Sequence, residues 1–203
     1  MQTDKTHQHF FNYQAKTWNS NDDQKKIESL EKIFQQLNAG VQELVLDLGC
    51  GTGILATVLI EYLSEKGRII EFDFSLEMLR QNKQRHHPDD QRLLWLSGDA
   101  HHLPFTSEQF TFLACFAVLP HLSRPVEVYR ELFRVLRSGG NLLVLHLMGS
   151  KQLNQFHSRA GKEVRHDHLP PAEKVAGQIS EKGFHLLQVE EREDLYLILA
   201  RKP

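Results

Sequence analysis

The sequence predicts an α/β domain built on a mostly parallel β-sheet, and three observations predict it. Helical and strand patterns alternate almost to the end of the chain, as they do where strands are joined by crossover helices. The length, 203 residues, suits one domain with a core on both faces of a central sheet. The run Phe110 to Leu119 is apolar enough to need burial on both sides, as a central parallel strand does.

The elements follow in order. A polar segment dotted with aromatics precedes Ile27, Leu30, Ile33, Phe34 and Leu37, whose spacing is helical, and Asn38-Ala39-Gly40 stops that helix. The first strand is predicted at Glu43 to Asp47. Ile54 to Lys66 reads as a helix ended by Gly67, Arg68 to Phe74 as a strand, and Leu76 to Arg85 as a helix halted before His87-Pro88. Gln91 to Leu96 is a third strand and Phe110 to Leu119 a fourth. Val126 to Leu136 is a helix closed by Ser138-Gly139-Gly140, and Asn141 to Leu147 is the fifth strand. Met148 to Pro171 loses all period, so it is predicted as a connection with one short helix, a candidate lid. Ala172 to Lys182 is a last helix, and Phe184 to Val189 with Leu195 to Ala200 form an antiparallel hairpin, because their joint is short. Residues 1–40 therefore read as a cover segment and helix, 41–147 as an open core, 148–171 as the lid and 172–203 as the closing helix and hairpin, all in a single domain.

Composition narrows the function. Lys and Arg number 24 against 26 Asp and Glu, and they are interspersed, which argues against a nucleic-acid binder and for a small-molecule partner. The two cysteines, Cys50 and Cys115, form no CxxC pair, and a reducing compartment suits them better than a disulfide framework. The N-terminus lacks a basic and then apolar leader, and no apolar run is long enough to span a bilayer. The expectation is a soluble, cytoplasmic protein.

The segment Leu44-Val45-Leu46-Asp47-Leu48-Gly49-Cys50-Gly51-Thr52-Gly53 carries the chemistry. A strand delivers a carboxylate into three alternate glycines at a helix start, where bare backbone lets a ligand approach and free N–H groups favour acceptors. A dinucleotide site would want G-x-G-x-x-G and an uncharged approach to pyrophosphate, whereas Asp47 would repel a diphosphate and attract a cation. A nucleoside that is positively charged and free of phosphate fits this turn.

Asp47 to Gly53 resembles motif I of the class I S-adenosylmethionine-dependent methyltransferases residue for residue. The likeness runs from about Phe10 to the C-terminus, and it is greatest to small-molecule enzymes of the ubiquinone and menaquinone biosynthesis type. It continues through Ile69-Ile70-Glu71-Phe72-Asp73-Phe74-Ser75, Gly98-Asp99-Ala100, Leu103-Pro104-Phe105 and Arg134-Val135-Leu136-Arg137-Ser138-Gly139-Gly140. The resemblance implies a Rossmann-like, seven-stranded sheet in the order 3-2-1-4-5-7-6 with strand 7 antiparallel. It also implies S-adenosyl-L-methionine as cofactor and S-adenosyl-L-homocysteine as product. Asp47, Gly49, Cys50, Gly51 and Gly53 would hold the methionine part. Asp73 would accept from the ribose hydroxyls, while Gly98, Asp99 and Ala100 meet the adenine, with Phe74 and Met78 packed against it. Cys115 and Phe116 of the fourth strand join this set. Glu71 stands where the family has a small residue.

Ligands of open α/β sheets lie beyond the carboxyl ends of the strands, which is where the methyl acceptor belongs. Phe10, Phe11, Tyr13 and Trp18 are candidates for a cover, and an aromatic face there stabilises a sulfonium by roughly 0.5 to 2 kcal/mol. Methyl transfer by direct displacement rests on alignment, and a general base becomes useful when the acceptor is a phenol. His121, His146 and His157 are the candidate bases, with His166 and His168 nearby in the lid. No tight metal-ligand spacing is present beyond His166-x-His168, so no metal is expected. Cys115 lacks the setting of a nucleophile and reads as core. Two other readings compete: a nicotinamide-dependent oxidoreductase on a similar sheet, and a binding module that keeps the cofactor without turnover.

Overall fold

The computed structural model describes residues 2–18, 22–37, 41, 43–87, 90–160 and 162–203, with side chains from residue 5 onward. The predicted helix stop at Asn38-Ala39-Gly40 and the proline of His87-Pro88 lie outside the described residues. Seven strands, β1 (Leu44–Leu48), β2 (Arg68–Asp73), β3 (Leu93–Ser97), β4 (Phe110–Phe116), β5 (Leu136–His146), β6 (His185–Arg192) and β7 (Leu195–Arg201), make one sheet in the order β3-β2-β1-β4-β5-β7-β6. All neighbours are parallel except around β7, which runs antiparallel to both β5 and β6. The order reverses between β1 and β4, and that reversal opens a crevice at the carboxyl ends of the strands.

Strand alternation divides the core into two layers. Val45, Ile69, Phe112 and Leu143 face one side, closed by Leu30 and Phe34 of α2 (Asp23–Gln36) and by Leu55 and Leu59 of α3 (Ile54–Leu59). Leu46, Leu48, Leu113 and Val144 face the other, against Val128 and Leu132 of α5 (Pro125–Val135) and Val175 and Ile179 of α7 (Ala172–Ser180). A third, smaller cluster joins Phe11 and Ala15 of α1 (Gln2–Trp18), Met78 of α4 (Leu76–Arg85) and Val164, which follows α6 (Ser150–Ser158). This cluster roofs the crevice.

Several boundaries differ from the expectation. The aromatic-dotted N-terminal segment is the helix α1, whose Phe11 is buried against α4 and whose Tyr13 is 79% exposed. Helix α3 stops at Leu59 and continues only as a 3₁₀ turn, Ile60–Tyr62. Strand β5 begins at Leu136, before the Gly139-Gly140 pair predicted to precede it. Gly139 sits at φ 75° and absorbs the irregularity, while its N–H donates to Lys202 O, so extended chain can follow α5 without a loop. The hairpin is present, with β6 reaching Arg192.

Candidate active site

The turn after β1 is built from left-handed glycines. Gly49, Gly51 and Gly53 have φ of 70°, 53° and 82°, a region that costs residues with a Cβ. A Cβ on Gly49 would overlap Val118 after β4, whereas one on Gly51 would meet nothing within 4 Å, because that side faces the cavity. The Gly49 and Cys50 N–H groups both donate to Phe72 O, at 2.8 and 3.2 Å. The turn is thereby hung on the end of β2.

Three carboxyl groups converge beneath it. Asp47 and Glu71 are register partners on β1 and β2 and face the same side of the sheet. Asp47 is fully buried and neither of its oxygens has a partner among the described residues. Burial, followed by repulsion from Glu71 and Asp73, pushes its carboxyl well above the usual range. Glu71 accepts from Asn82 Nδ2 at 2.5 Å, and Asn82 Oδ1 accepts from Trp95 Nε1 at 2.8 Å. Burial outweighs the hydrogen bonds from Asn82 and Cys50 and raises Glu71 to about 7. Asp73 accepts from the Gly51 N–H at 3.0 Å and the Ser75 N–H at 2.8 Å. Its burial still prevails, placing it at about 6. A buried pair of bare oxygens costs several kcal/mol unless a ligand satisfies it.

In front of the turn lies a cavity of about 350 Å³. Helix α1 covers it: Gln8 Nε2 donates to Phe74 O at 2.6 Å, and Asn12 Oδ1 accepts from Ser75 Oγ at 2.7 Å and Glu77 N at 3.3 Å. Phe11 packs against Phe74, Trp18 and His121, with ring centroids 5.8, 5.5 and 5.0 Å apart. At the far wall Asp99 accepts from the His101 backbone N–H at 2.9 Å and sits 2.6 Å from His101 Nδ1. Burial opposes its ionisation, but these bonds prevail and hold its carboxyl below the usual range.

The residues predicted for the site are not all at the cavity wall. Gly49, Cys50, Gly51, Asp73, Phe74, Met78, Gly98, Asp99, Ala100, Phe116 and Trp18 line it. Asp47 lies under the turn, and Gly53 sits behind it as the left-handed N-cap of α3, against Asn82 and His86. Cys115 is 1% exposed in the core of β4, since strand alternation turns it from the cavity. Tyr13 points to solvent on the outer face of α1.

Of the three histidines proposed as bases, His121 lines the cavity. His146 is 2% exposed, with its ring 5.4 Å from that of Tyr196, and burial, then the nearby His121 and His157, lower it to about 3. His157 is buried with its Nδ1 3.2 Å from Asp167 O, and burial lowers it as well. Neither reaches the cavity wall, because β5 and α6 direct both into the packing behind His121. Between the lid residues His166 and His168, Asp167 points inward, 2.6 Å from His121 Nδ1 and 2.9 Å from His7 Nε2. Sequence reasoning passed over Asp167, His7 and His101; the only hint was the polar company Asp167 keeps.

A seven-stranded sheet in this order, with a glycine turn after β1 and acidic residues at the ends of β1 and β2, defines the class I methyltransferase fold. Residues 46–144 match the family model of the methyltransferase domain. A demethylmenaquinone methyltransferase of Lactobacillus johnsonii is 31% identical over 57% of this chain and 48% of its own length. A 2-phytyl-1,4-naphtoquinone methyltransferase of Thermosynechococcus vestitus is 32% identical over 57% of this chain and 53% of its own. The match thus spans about half the length of these relatives. Among solved structures, an S-adenosylmethionine-dependent methyltransferase from Aquifex aeolicus aligns with TM-score 0.75 at 18% identity, over 95% of this chain and 98% of its own. Residues 46–144 match a methyltransferase domain, and the sheet around them has the fold of the class I enzymes that use S-adenosylmethionine. The chain's residues fit that cofactor. The unpartnered Asp47 oxygens call for positive charge, the Gly51 side of the turn leaves room for backbone approach, and Asp73 and Asp99 offer acceptors to hydroxyl and amino groups.

Proposed function

We propose that the protein transfers a methyl group from S-adenosylmethionine to a small-molecule acceptor held between the end of β4 and the cover formed by α1 and the chain after α6. The observation that carries this reading is the buried, partnerless Asp47 carboxyl under an open left-handed glycine turn. Bound there, the donor supplies an electrophilic methyl group on a sulfonium. The chain's part is binding and alignment. Asp47 and the turn hold the amino-acid end, Asp73 takes the ribose hydroxyls, and Asp99 with the Ala100 N–H takes the adenine. Phe11 and Trp18 exclude water and set aromatic faces toward positive charge. His121, and neither His146 nor His157, serves the acceptor.

The acceptor is an aromatic ring compound of quinol type. The support is the activity for which the relatives are named, together with a cavity whose wall is mainly apolar at Phe11, Trp18, Phe116 and Leu122. The free buried thiols of Cys50 and Cys115 suit a reducing, cytoplasmic setting. No described helix is long and apolar enough to cross a membrane.

The experiment is calorimetric titration with S-adenosylhomocysteine, followed by a search for a mass gain of one methyl group across a panel of phenols, quinols, thiols and amines. Tight binding with turnover of one class supports the reading. Binding without any turnover would make the chain a cofactor-binding module, and preference for NAD would make it an oxidoreductase.

A further inference from the structure

Two histidines and one aspartate meet at the mouth of the cavity, from three distant segments of the chain. Asp167 Oδ2 lies 2.6 Å from His121 Nδ1, and Asp167 Oδ1 lies 2.9 Å from His7 Nε2. All three side chains are largely shielded, at 15, 10 and 8% exposure for His121, His7 and Asp167. Burial disfavours the Asp167 carboxylate, yet the hydrogen bonds from His121 and His7 outweigh it and hold the carboxyl below its usual range. An ionised acceptor at Nδ1 dictates the His121 tautomer: Nδ1 carries the proton and Nε2 keeps its lone pair. The His121 side chain makes no other hydrogen bond to a described residue, and its ring lines the cavity beside Phe11 and Leu122.

We infer that His121 is a general base, with Asp167 and His7 as its positioning residues, and that the acceptor is a compound with a weakly acidic hydroxyl on a conjugated ring. This rests on the methyl-transfer reading above. Fastening α1 to the chain after α6 would need one histidine on Asp167; the second, His121, presents a ring to the space where the acceptor must lie. An aromatic thiol is largely ionised at neutral pH and needs no base, whereas a phenol with a pKa of about 10 is almost wholly protonated there. The acceptor hydroxyl gives its proton to His121 Nε2, and a bond forms between the methyl carbon and the acceptor oxygen. The carbon–sulfur bond breaks with its electron pair left on sulfur, and the imidazolium, stabilised by Asp167, later releases the proton to solvent. Where the nucleophile is the ring carbon conjugated with that oxygen, the carbon afterwards loses its own proton and the oxygen regains one, restoring the ring hydroxyl.

The test has two arms on the full chain with S-adenosylhomocysteine or S-adenosylmethionine bound. In the first, ring ¹⁵N shifts of His121 report the Nδ1–H tautomer in the native protein and its loss in Asp167→Ala. In the second, naphthalene-1,4-diol and thiophenol are compared as acceptors. His121→Gln and the conservative Asp167→Asn lower kcat for the diol about 100-fold or more, while thiophenol methylation changes less than about fivefold and KM for S-adenosylmethionine less than about threefold. An unchanged tautomer in Asp167→Ala, or equal losses with both acceptors, overturns the dyad and leaves methyl transfer standing. Stoichiometric zinc binding by the native chain that Asp167→Asn abolishes also overturns it, because the same three side chains would then be ligands. Failure to bind S-adenosylhomocysteine at all would instead remove the methyl-transfer reading, and the dyad with it.

Discussion

Asp73 holds two jobs at once: it accepts the Gly51 and Ser75 N–H groups and closes one wall of the cavity. Replacing it therefore costs the turn as well as the ligand. Asp73→Ala is expected to weaken S-adenosylhomocysteine binding by about 1 to 3 kcal/mol, and to lower the melting temperature of the ligand-free protein. Asp73→Asn, which keeps one acceptor, loses less of both; calorimetry and thermal melts on the two variants check this. Glu71 makes the opposite kind of prediction. Its folded pKa of about 7 lies above the unfolded value near 4.5, so the folded state binds more protons between those limits and stability falls as pH rises through that window. Glu71→Gln is expected to flatten that fall and to make the ligand-free protein more stable at pH 8 by on the order of 2 kcal/mol, as denaturant midpoints at pH 5 and pH 8 would show. A fall of unchanged size in the variant would place the proton uptake elsewhere. The sequence pointed to Asp47, Asp73 and Asp99 because each stands at or just past the end of a strand in a recognisable pattern. It did not reach Asp167 or His7, whose meaning lies only in being 2.9 Å apart across 160 residues.

Among the elements, those with strong period or a cap were legible. Ser75 caps α4, its Oγ accepting the Met78 N–H at 3.1 Å; Ser75→Ala is expected to cost about 1 kcal/mol, measurable by denaturant melts. The Arg134 guanidinium explains a motif that the sequence could only match by pattern. It donates to Phe105 O at 2.7 Å and Leu103 O at 3.0 Å, pinning the Leu103-Pro104-Phe105 loop to α5. The start of β5 was misplaced because Gly139-Gly140 looks like a helix stop, and nothing local announces its support. That support is Lys202, buried near the C-terminus, whose Nζ donates to Phe133 O at 2.9 Å and Leu136 O at 2.8 Å at the end of α5. Lys202→Met is expected to destabilise the fold by about 2 kcal/mol, because two carbonyls lose a charged donor. Thermal melts that match the native protein would show that water replaces it. Helix α1 escaped notice for a related reason. Its apolar side is narrow, and only Phe11 and Ala15 are described as buried hydrophobics, so its helical state depends on docking to α4.

At the scale of the whole molecule, the cover is a joint product of the chain's beginning and its later third. Phe11 and Val164 share one cluster and His7 shares Asp167 with His121, so α1 and the segment after α6 are expected to tighten together. Amide exchange is expected to slow in both segments on adding S-adenosylhomocysteine, and slowing confined to one would show that they move independently. The alternation of helices and strands, the acidic residue before the glycines and the closing hairpin were all decided by the sequence. Each depends on neighbours in the chain or on a period of two or 3.6 residues, which local order alone can express. Tertiary structure decided which histidine faces the cavity, which carboxylate orients it and where the N-terminal helix lies. Those outcomes depend on atoms brought within a few ångströms by the packing of remote segments, and no local pattern encodes a distance across the fold.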